Sequence, residues 1–137
     1  MAEDDPNDIE LALLALGEYN LANEVVVAKN GVEALDYLYR RGEFANIDAG
    51  NPVVVLLDLK MPKLNGLDVL RQIKSDPNLK TIPVVVLTSS SEERDIIESY
   101  KLGVNAYCVK PVAFDKFITV VRQLGLFWVL TNEVPRQ

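Results

Sequence analysis

The stretch Val53-Val54-Val55-Leu56-Leu57-Asp58-Leu59-Lys60-Met61-Pro62-Lys63-Leu64-Asn65-Gly66 decides the fold. Five branched aliphatic residues run unbroken into an aspartate, the pattern of a strand buried on both faces in a parallel sheet. Pro62 and the Asn65-Gly66 pair then turn the chain. Asp58 therefore stands where a buried strand surfaces. In open parallel sheets, ligands bind at the carboxyl ends of the strands. Taken alone, an aspartate there is equally well explained as a turn residue or helix cap. The rest of the chain has to separate these readings.

On either side, strand and helix patterns alternate. Pro6 and its acidic neighbours open a helix carrying Ile9, Ala12, Leu13 and Leu16 at helical spacing. Residues 24–28 read as a strand, and Asn30-Gly31 as a turn. Val32, Leu35, Leu38 and Tyr39 mark a second helix. Beyond Asp58 come a helix over 66–75 with Leu67, Leu70 and Ile73 inward, and a strand over 83–87. A helix over 91–102 follows, entered through Ser89-Ser90-Ser91, carrying Ile96, Ile97 and Tyr100 and stopped at Gly103. A short strand over 106–109 ends in Lys110-Pro111. The last helix places Phe114, Phe117, Ile118 and Val121 on one face. Such alternation means parallel strands, right-handed crossovers and helices on both faces, an α/β doubly wound sheet. The 137 residues make a single domain, with a core over 3–128 and a polar tail over 131–137.

Composition excludes several functions. The chain has no histidine, so it carries no Ser-His, Cys-His or His-metal site and no phosphohistidine of its own. The single cysteine, Cys108, excludes an internal disulfide and reads as a core residue. A net charge of -6 opposes nonspecific nucleic-acid binding. No apolar run reaches membrane-spanning length and the acidic start is unlike a signal peptide, so the expected location is the cytoplasm.

Several strand ends carry residues suited to one chemistry. Asp58, Thr88 and Lys110 end successive strands, and Glu3-Asp4 precede the first helix, where a first strand would end. Alternating topology brings these ends to one rim. Clustered carboxylates repel one another unless a cation neutralises them; oxygen ligands suit a hard divalent ion, and Mg²⁺ is usual beside phosphate. A rim lysine and a threonine hydroxyl can each bond a phosphate oxygen. The set would stabilise a transferring phosphoryl group, with Asp58 as nucleophile. Singly, Glu3 and Asp4 are explained as complements to a helix dipole, Thr88 as a cap and Lys110 as a solvated lysine. Their joint placement in order along the chain favours the phosphoryl reading.

With these residues in view, the chain resembles a response-regulator receiver domain of two-component signalling, from Glu3 to about Trp128. The resemblance rests on Glu3-Asp4, Leu57-Asp58-Leu59-Lys60-Met61-Pro62, Asn65-Gly66, Thr88 and Lys110-Pro111. It implies a flavodoxin-like sheet in strand order 2-1-3-4-5. It also implies phosphoryl transfer to Asp58 from the phosphohistidine of a sensor histidine kinase. Mg²⁺ would bind Glu3, Asp4, Asp58 and the Lys60 carbonyl, and Thr88 and Lys110 would contact the phosphoryl group. Thr88 and Tyr107 would form the switch, and the Lys110-Pro111 peptide would be cis. The protein would not be an enzyme; its own chemistry would be self-phosphorylation and autodephosphorylation. Asn23-Glu24-Val25, the stretch 31–38 and Phe127-Trp128 further resemble small regulators paired with bacterial phytochromes.

The sequence departs from the family pattern in two places. Only Met1-Ala2 precede Glu3, too little for a central strand of about five residues. Truncation is the favoured explanation, beside strand supply by a partner chain and an artefact of the sequence start. Lys60 stands where many members carry Asn; coordination through a carbonyl survives that change. A stand-alone switch would signal through protein contacts, or act as a phosphate sink. A second apolar line of Val120, Leu124, Phe127 and Trp128 predicts a homodimer through the last helix, with the helix over 91–102; the alternative is that the C-terminal segment folds back over these groups. A haloacid-dehalogenase-like phosphatase would need a second Asp where Lys60 stands. A flavodoxin-like cofactor binder would need a Ser/Thr/Gly-rich phosphate loop where the chain is acidic.

Overall fold

The computed structural model describes residues 1–18, 25–47 and 50–111, together with Asp115, Thr119, Arg122 and Gln123. Helices α1 (Pro6–Glu18) and α2 (Gly31–Tyr39) precede a 3-10 turn at Gly42–Phe44. Then come β1 (Val55–Leu57), α3 (Gly66–Ser75), β2 (Val84–Thr88), α4 (Glu93–Lys101) and β3 (Ala106–Val109). The three strands form a parallel sheet in the order β1-β2-β3. Val55 pairs with Val84, and Val85 with Ala106. All of β1 and β2 is buried, as aliphatic strands covered on both faces must be.

The central place beside β1 is occupied. Ala2 makes parallel bridges to Leu57 on one side and to Ala28 on the other. Its N–H donates to the Leu56 carbonyl at 2.8 Å and its carbonyl accepts from Asp58 N–H at 3.0 Å. Across the other edge, Glu3 N–H donates to the Ala28 carbonyl at 2.9 Å and Ala28 N–H to the Met1 carbonyl at 2.8 Å. The shortfall expected of the first strand thus appears as single bridges at Ala2 in place of a strand. Laterally, Ala28, Ala2, β1, β2 and β3 follow one another, the first two places being single bridges. The brevity of Ala2's contact also explains why the strand read over 53–57 starts at Val55. Val53 and Val54 lie beyond the Ala2 bridge and outside the β2 ladder, and Val53 is exposed.

Helix α3 starts where Asn65 caps it, its side chain accepting from Asp68 N–H at 2.9 Å. Its buried face is Gly66, Val69, Leu70 and Ile73, with Leu67 only partly buried. Helix α2 is capped by Asn30 in the same way and buries Gly31, Ala34 and Leu38. Helix α4 corrects the sequence reading. Its cap is Glu92, without a side-chain cap bond. Ser99 is its one buried residue, while Ile97 and Tyr100 face outward. The helix is thus held to the body by few apolar groups. Among the described residues, no helix is long and apolar enough to cross a membrane.

Candidate functional site: an acidic rim closed by one lysine

The backbone bonds of Ala2 deliver Glu3 and Asp4 to the carboxyl edge of the sheet. Asp5 then caps α1: its Oδ1 accepts from Asn7 N–H at 2.8 Å and from Asp8 N–H at 3.2 Å. Pro6 opens the helix, where its missing N–H costs nothing. Asp58 follows β1, its Oδ1 accepting from Lys60 N–H at 3.2 Å. The loop after it folds back tightly, with Gly66 N–H donating to the Leu59 carbonyl at 2.8 Å. A side chain at 66 would put a Cβ 2.2 Å from the Asp58 carbonyl oxygen, so only glycine fits. Lys110 leaves β3 with its N–H on the Thr88 carbonyl at 2.8 Å, and the Lys110–Pro111 peptide is cis.

These segments bring Glu3, Asp4, Asp58 and Lys110 together, while Thr88 ends the neighbouring strand and meets Lys110 through the backbone. The Lys110 ammonium lies among three carboxylates: it contacts Glu3 Oε1, Asp8 Oδ2 at 2.9 Å and Asp58 Oδ2 at 3.3 Å. Glu3 is 4% exposed and Asp58 7%, whereas Asp4 is exposed. Burial pushes the Glu3 carboxyl up to about 7, the Lys110 bond opposing and the Asp58 charge adding. Burial alone would lower the Lys110 pKa, but the bonds to Glu3 and Asp8 and the charge of Asp58 outweigh it and raise it. Lys110 stays protonated.

One carboxylate oxygen from each of Glu3, Asp4 and Asp58 lies within 4.8 Å of the others. Three oxygens at that spacing, two of them from buried residues, fit a hard divalent cation. Glu3, Asp8, Asp58 and Lys110 also line a cavity of about 470 Å³, whose remaining walls include Leu11, Leu14, Leu57 and Leu87.

Thr88, fully buried, accepts from Ser90 N–H through its Oγ1 at 3.3 Å. The Tyr107 hydroxyl donates to the Ser90 carbonyl at 2.9 Å, and the Ser90 hydroxyl bonds Asp95 of α4 at 2.5 Å. Ser90 therefore links the strand end, the β3 tyrosine and helix α4. Burial raises the Tyr107 pKa, so its phenol remains a donor. Lys60 is exposed. Val120, Leu124, Phe127 and Trp128 lie outside the described residues.

Residues 1–122 match the profile of the response regulator receiver domain. The chain belongs to that family. Among its relatives, the response regulator Rcp1 of Synechocystis sp. is 37% identical over 135 residues, 98% of this chain and 90% of that protein. The solved bacteriophytochrome response regulator RtBRR superposes with a TM-score of 0.85 at 55% identity, covering 98% of this receiver domain and 81% of RtBRR. The phosphorylated cyanobacterial phytochrome response regulator RcpA gives 0.78 at 44% identity, over 93% and 90%. The Mn²⁺-bound form of Rcp1 gives 0.78 at 38%, over 98% and 96%. The receiver fold is thereby shown. Receiver domains bind a divalent metal and work with histidine kinases.

Two residues of this receiver domain escaped the sequence reading. Asp8 was legible only as an acidic residue in a first helical turn; its spacing of four from Asp4 was the available signal. Ser90 read as one of three interchangeable capping serines, and nothing local distinguishes it.

Proposed function

We propose that this receiver domain is a phosphoryl-accepting switch with Asp58 as the acceptor. The observation that carries the reading is the Lys110 ammonium, 3.3 Å from Asp58 Oδ2 at the exit of β1. An Asp58 carboxylate oxygen attacks the phosphorus of a partner kinase's phosphohistidine. A P–O bond forms, the P–N bond breaks, and the imidazole leaves with the electron pair. Lys110 donates to a phosphoryl oxygen and offsets its charge, and the Thr88 hydroxyl donates to another after leaving Ser90. Glu3, Asp4, Asp58 and the Lys60 carbonyl would hold a divalent ion, which would neutralise charge on the transferring group; Mg²⁺ is our reading for this chain.

The phosphoryl group adds about 1.5 to 2 negative charges beside Lys110 and Thr88. Withdrawing Thr88 from Ser90 changes a residue that also bonds Tyr107 and Asp95. That supports α4, buried through Ser99 alone, as the element whose arrangement is biased. The names of RtBRR and RcpA favour a phytochrome as the cognate sensor kinase, and that of RtBRR a bacteriophytochrome. A homodimer through the last helix, with the helix over 91–102, remains our reading; Ile97 and Tyr100 of α4 are exposed and supply apolar surface for it. Sedimentation of Phe127→Glu against the parent tests this face, and an unchanged dimer mass argues against it.

Acetyl phosphate with Mg²⁺ should add one phosphate mass to the parent and none to Asp58→Asn. Equal labelling of both removes Asp58 from the mechanism.

A further inference from the structure

Lys110 has one partner outside both the acceptor and the metal set, Asp8 on the first turn of α1. We propose that Asp8 is the positioning residue for Lys110, holding its ammonium at the Asp58 edge of the rim whatever the state of the acceptor. The proposal rests on Asp58 being that acceptor.

A lysine is a point charge on a flexible four-carbon stem with three donors. Where its ammonium rests is set by its acceptors, and here there are three carboxylates. Two of them have another duty. The Asp58 oxygens change from carboxylate to acyl phosphate when the group is transferred, and a phosphoryl oxygen then competes for Lys110. Glu3 belongs to the carboxylate set that fits a cation. Asp8, 2.9 Å from Nζ against 3.3 Å for Asp58, can keep the same bond throughout.

The placement of Asp8 is itself well fixed. Its backbone N–H is held by the Asp5 cap and its Oδ2 points back to the rim. A carboxylate in a first helical turn is stabilised by the helix dipole. Lys110 is mostly buried and Asp8 only partly exposed, so the pair is less screened than one in open solvent. Three acceptors match three donors, so Asp8 does not draw the ammonium away from Asp58. It narrows where the ammonium can be, and orientation of that kind is what a transfer step needs.

The test uses the full chain, with acetyl phosphate as donor and Mg²⁺ in excess. Asp8→Ala should lower the maximal phosphorylation rate about tenfold, with the half-saturating acetyl phosphate concentration changed less than the rate. Asp8→Asn, nearly isosteric, should fold as the parent does and show an intermediate loss, and Asp8→Glu should recover part of the rate. In a Lys110→Ala background, Asp8→Ala should add nothing, since the two act as one unit. Independently of activity, the Lys110 ammonium signal in ¹⁵N NMR should be sharp in the parent and in Asp8→Glu, and broadened in Asp8→Ala. Rates within twofold of the parent for both Asp8→Ala and Asp8→Asn, or a full additional loss in the Lys110→Ala background, overturn the proposal. Labelling of Asp58→Asn overturns the acceptor reading instead.

Discussion

Gly66→Ala separates two forces of opposite sign. Alanine is the better helix former by up to about 1 kcal/mol, and position 66 opens α3. Gly66 is not among the residues with positive φ, so its backbone conformation does not require glycine. On propensity alone the substitution stabilises. The surroundings say otherwise. The new Cβ would lie 2.2 Å from the Asp58 carbonyl oxygen and 2.6 Å from Leu59 Cα, both backbone atoms. Real contacts essentially never fall below 3.0 Å and ordinary ones begin at 3.4 Å, so the loop must open by at least about 0.8 Å. That loop is tied on both sides, by Gly66 N–H to Leu59 and by Asp58 N–H to Ala2. Overpacking costs about 1–3 kcal/mol, and displacement of backbone belongs at the upper end. A net loss of about 2–3 kcal/mol lowers the melting temperature of a domain this size by about 10 °C. Urea denaturation should show a lower midpoint with an unchanged slope. Because the displaced atoms belong to Asp58 and its neighbour, acetyl-phosphate labelling should slow as well. A variant as stable as the parent, or more so, refutes the argument that this loop needs a missing side chain.

Two further predictions concern the rim. Burial holds the Glu3 carboxyl near 7 in the folded protein against 4.5 ordinarily. The folded state thus binds the proton more tightly, and the stability this confers is complete below pH 4.5 and lost as pH rises through about 7. In metal-free buffer, the urea midpoint should therefore rise from pH 7.5 to 5.5, the single proton contributing at most about 1.4 kcal/mol per pH unit, and Glu3→Gln should flatten that rise; identical pH slopes for both proteins would count against it. Tyr107→Phe removes the donor to Ser90 and should cost about 1 kcal/mol in urea denaturation. It should also leave acetyl-phosphate labelling of Asp58 within twofold of the parent; a rate collapse would mean that the tyrosine acts in the transfer itself.

What the sequence made legible was local chemistry repeated along the chain. Aliphatic runs ending in Asp58 and Thr88 identify strands and the rim, because burial on both faces leaves no polar position within them, while the half-buried run before Lys110 is shorter and mixed. Asn65 and Asn30 mark helix starts through bonds to residues three further on. Contacts between distant segments were not legible. The Asp8–Lys110 pair spans 102 positions, and Ser90 meets Tyr107 across 17. The facing of helix α4 was not legible for a related reason. Its Ile97 and Tyr100 are spaced as an inward face would be, yet they are exposed, and periodicity reports which residues share a face without saying which way it points.

The central place joins two questions that the structure separates. Two residues form no strand there, as their number predicts, yet they still bond both neighbours. A parallel ladder is built from backbone groups, which every residue but proline supplies in full. What the rim requires from its central neighbour is the last pair of bonds on each side, since these set where the chain leaves the sheet. Ala2 and its two neighbours supply four such bonds, at 2.8 to 3.0 Å, and Ala2 is small enough to be buried between β1 and Ala28. Glu3 is thereby placed against Lys110 and Asp58 as firmly as those bonds allow. The shortfall appears at the opposite end, where Val53 and Val54 leave the ladder. Position of the acidic pair and length of the central strand are therefore separate properties, and only the first bears on the chemistry at Asp58.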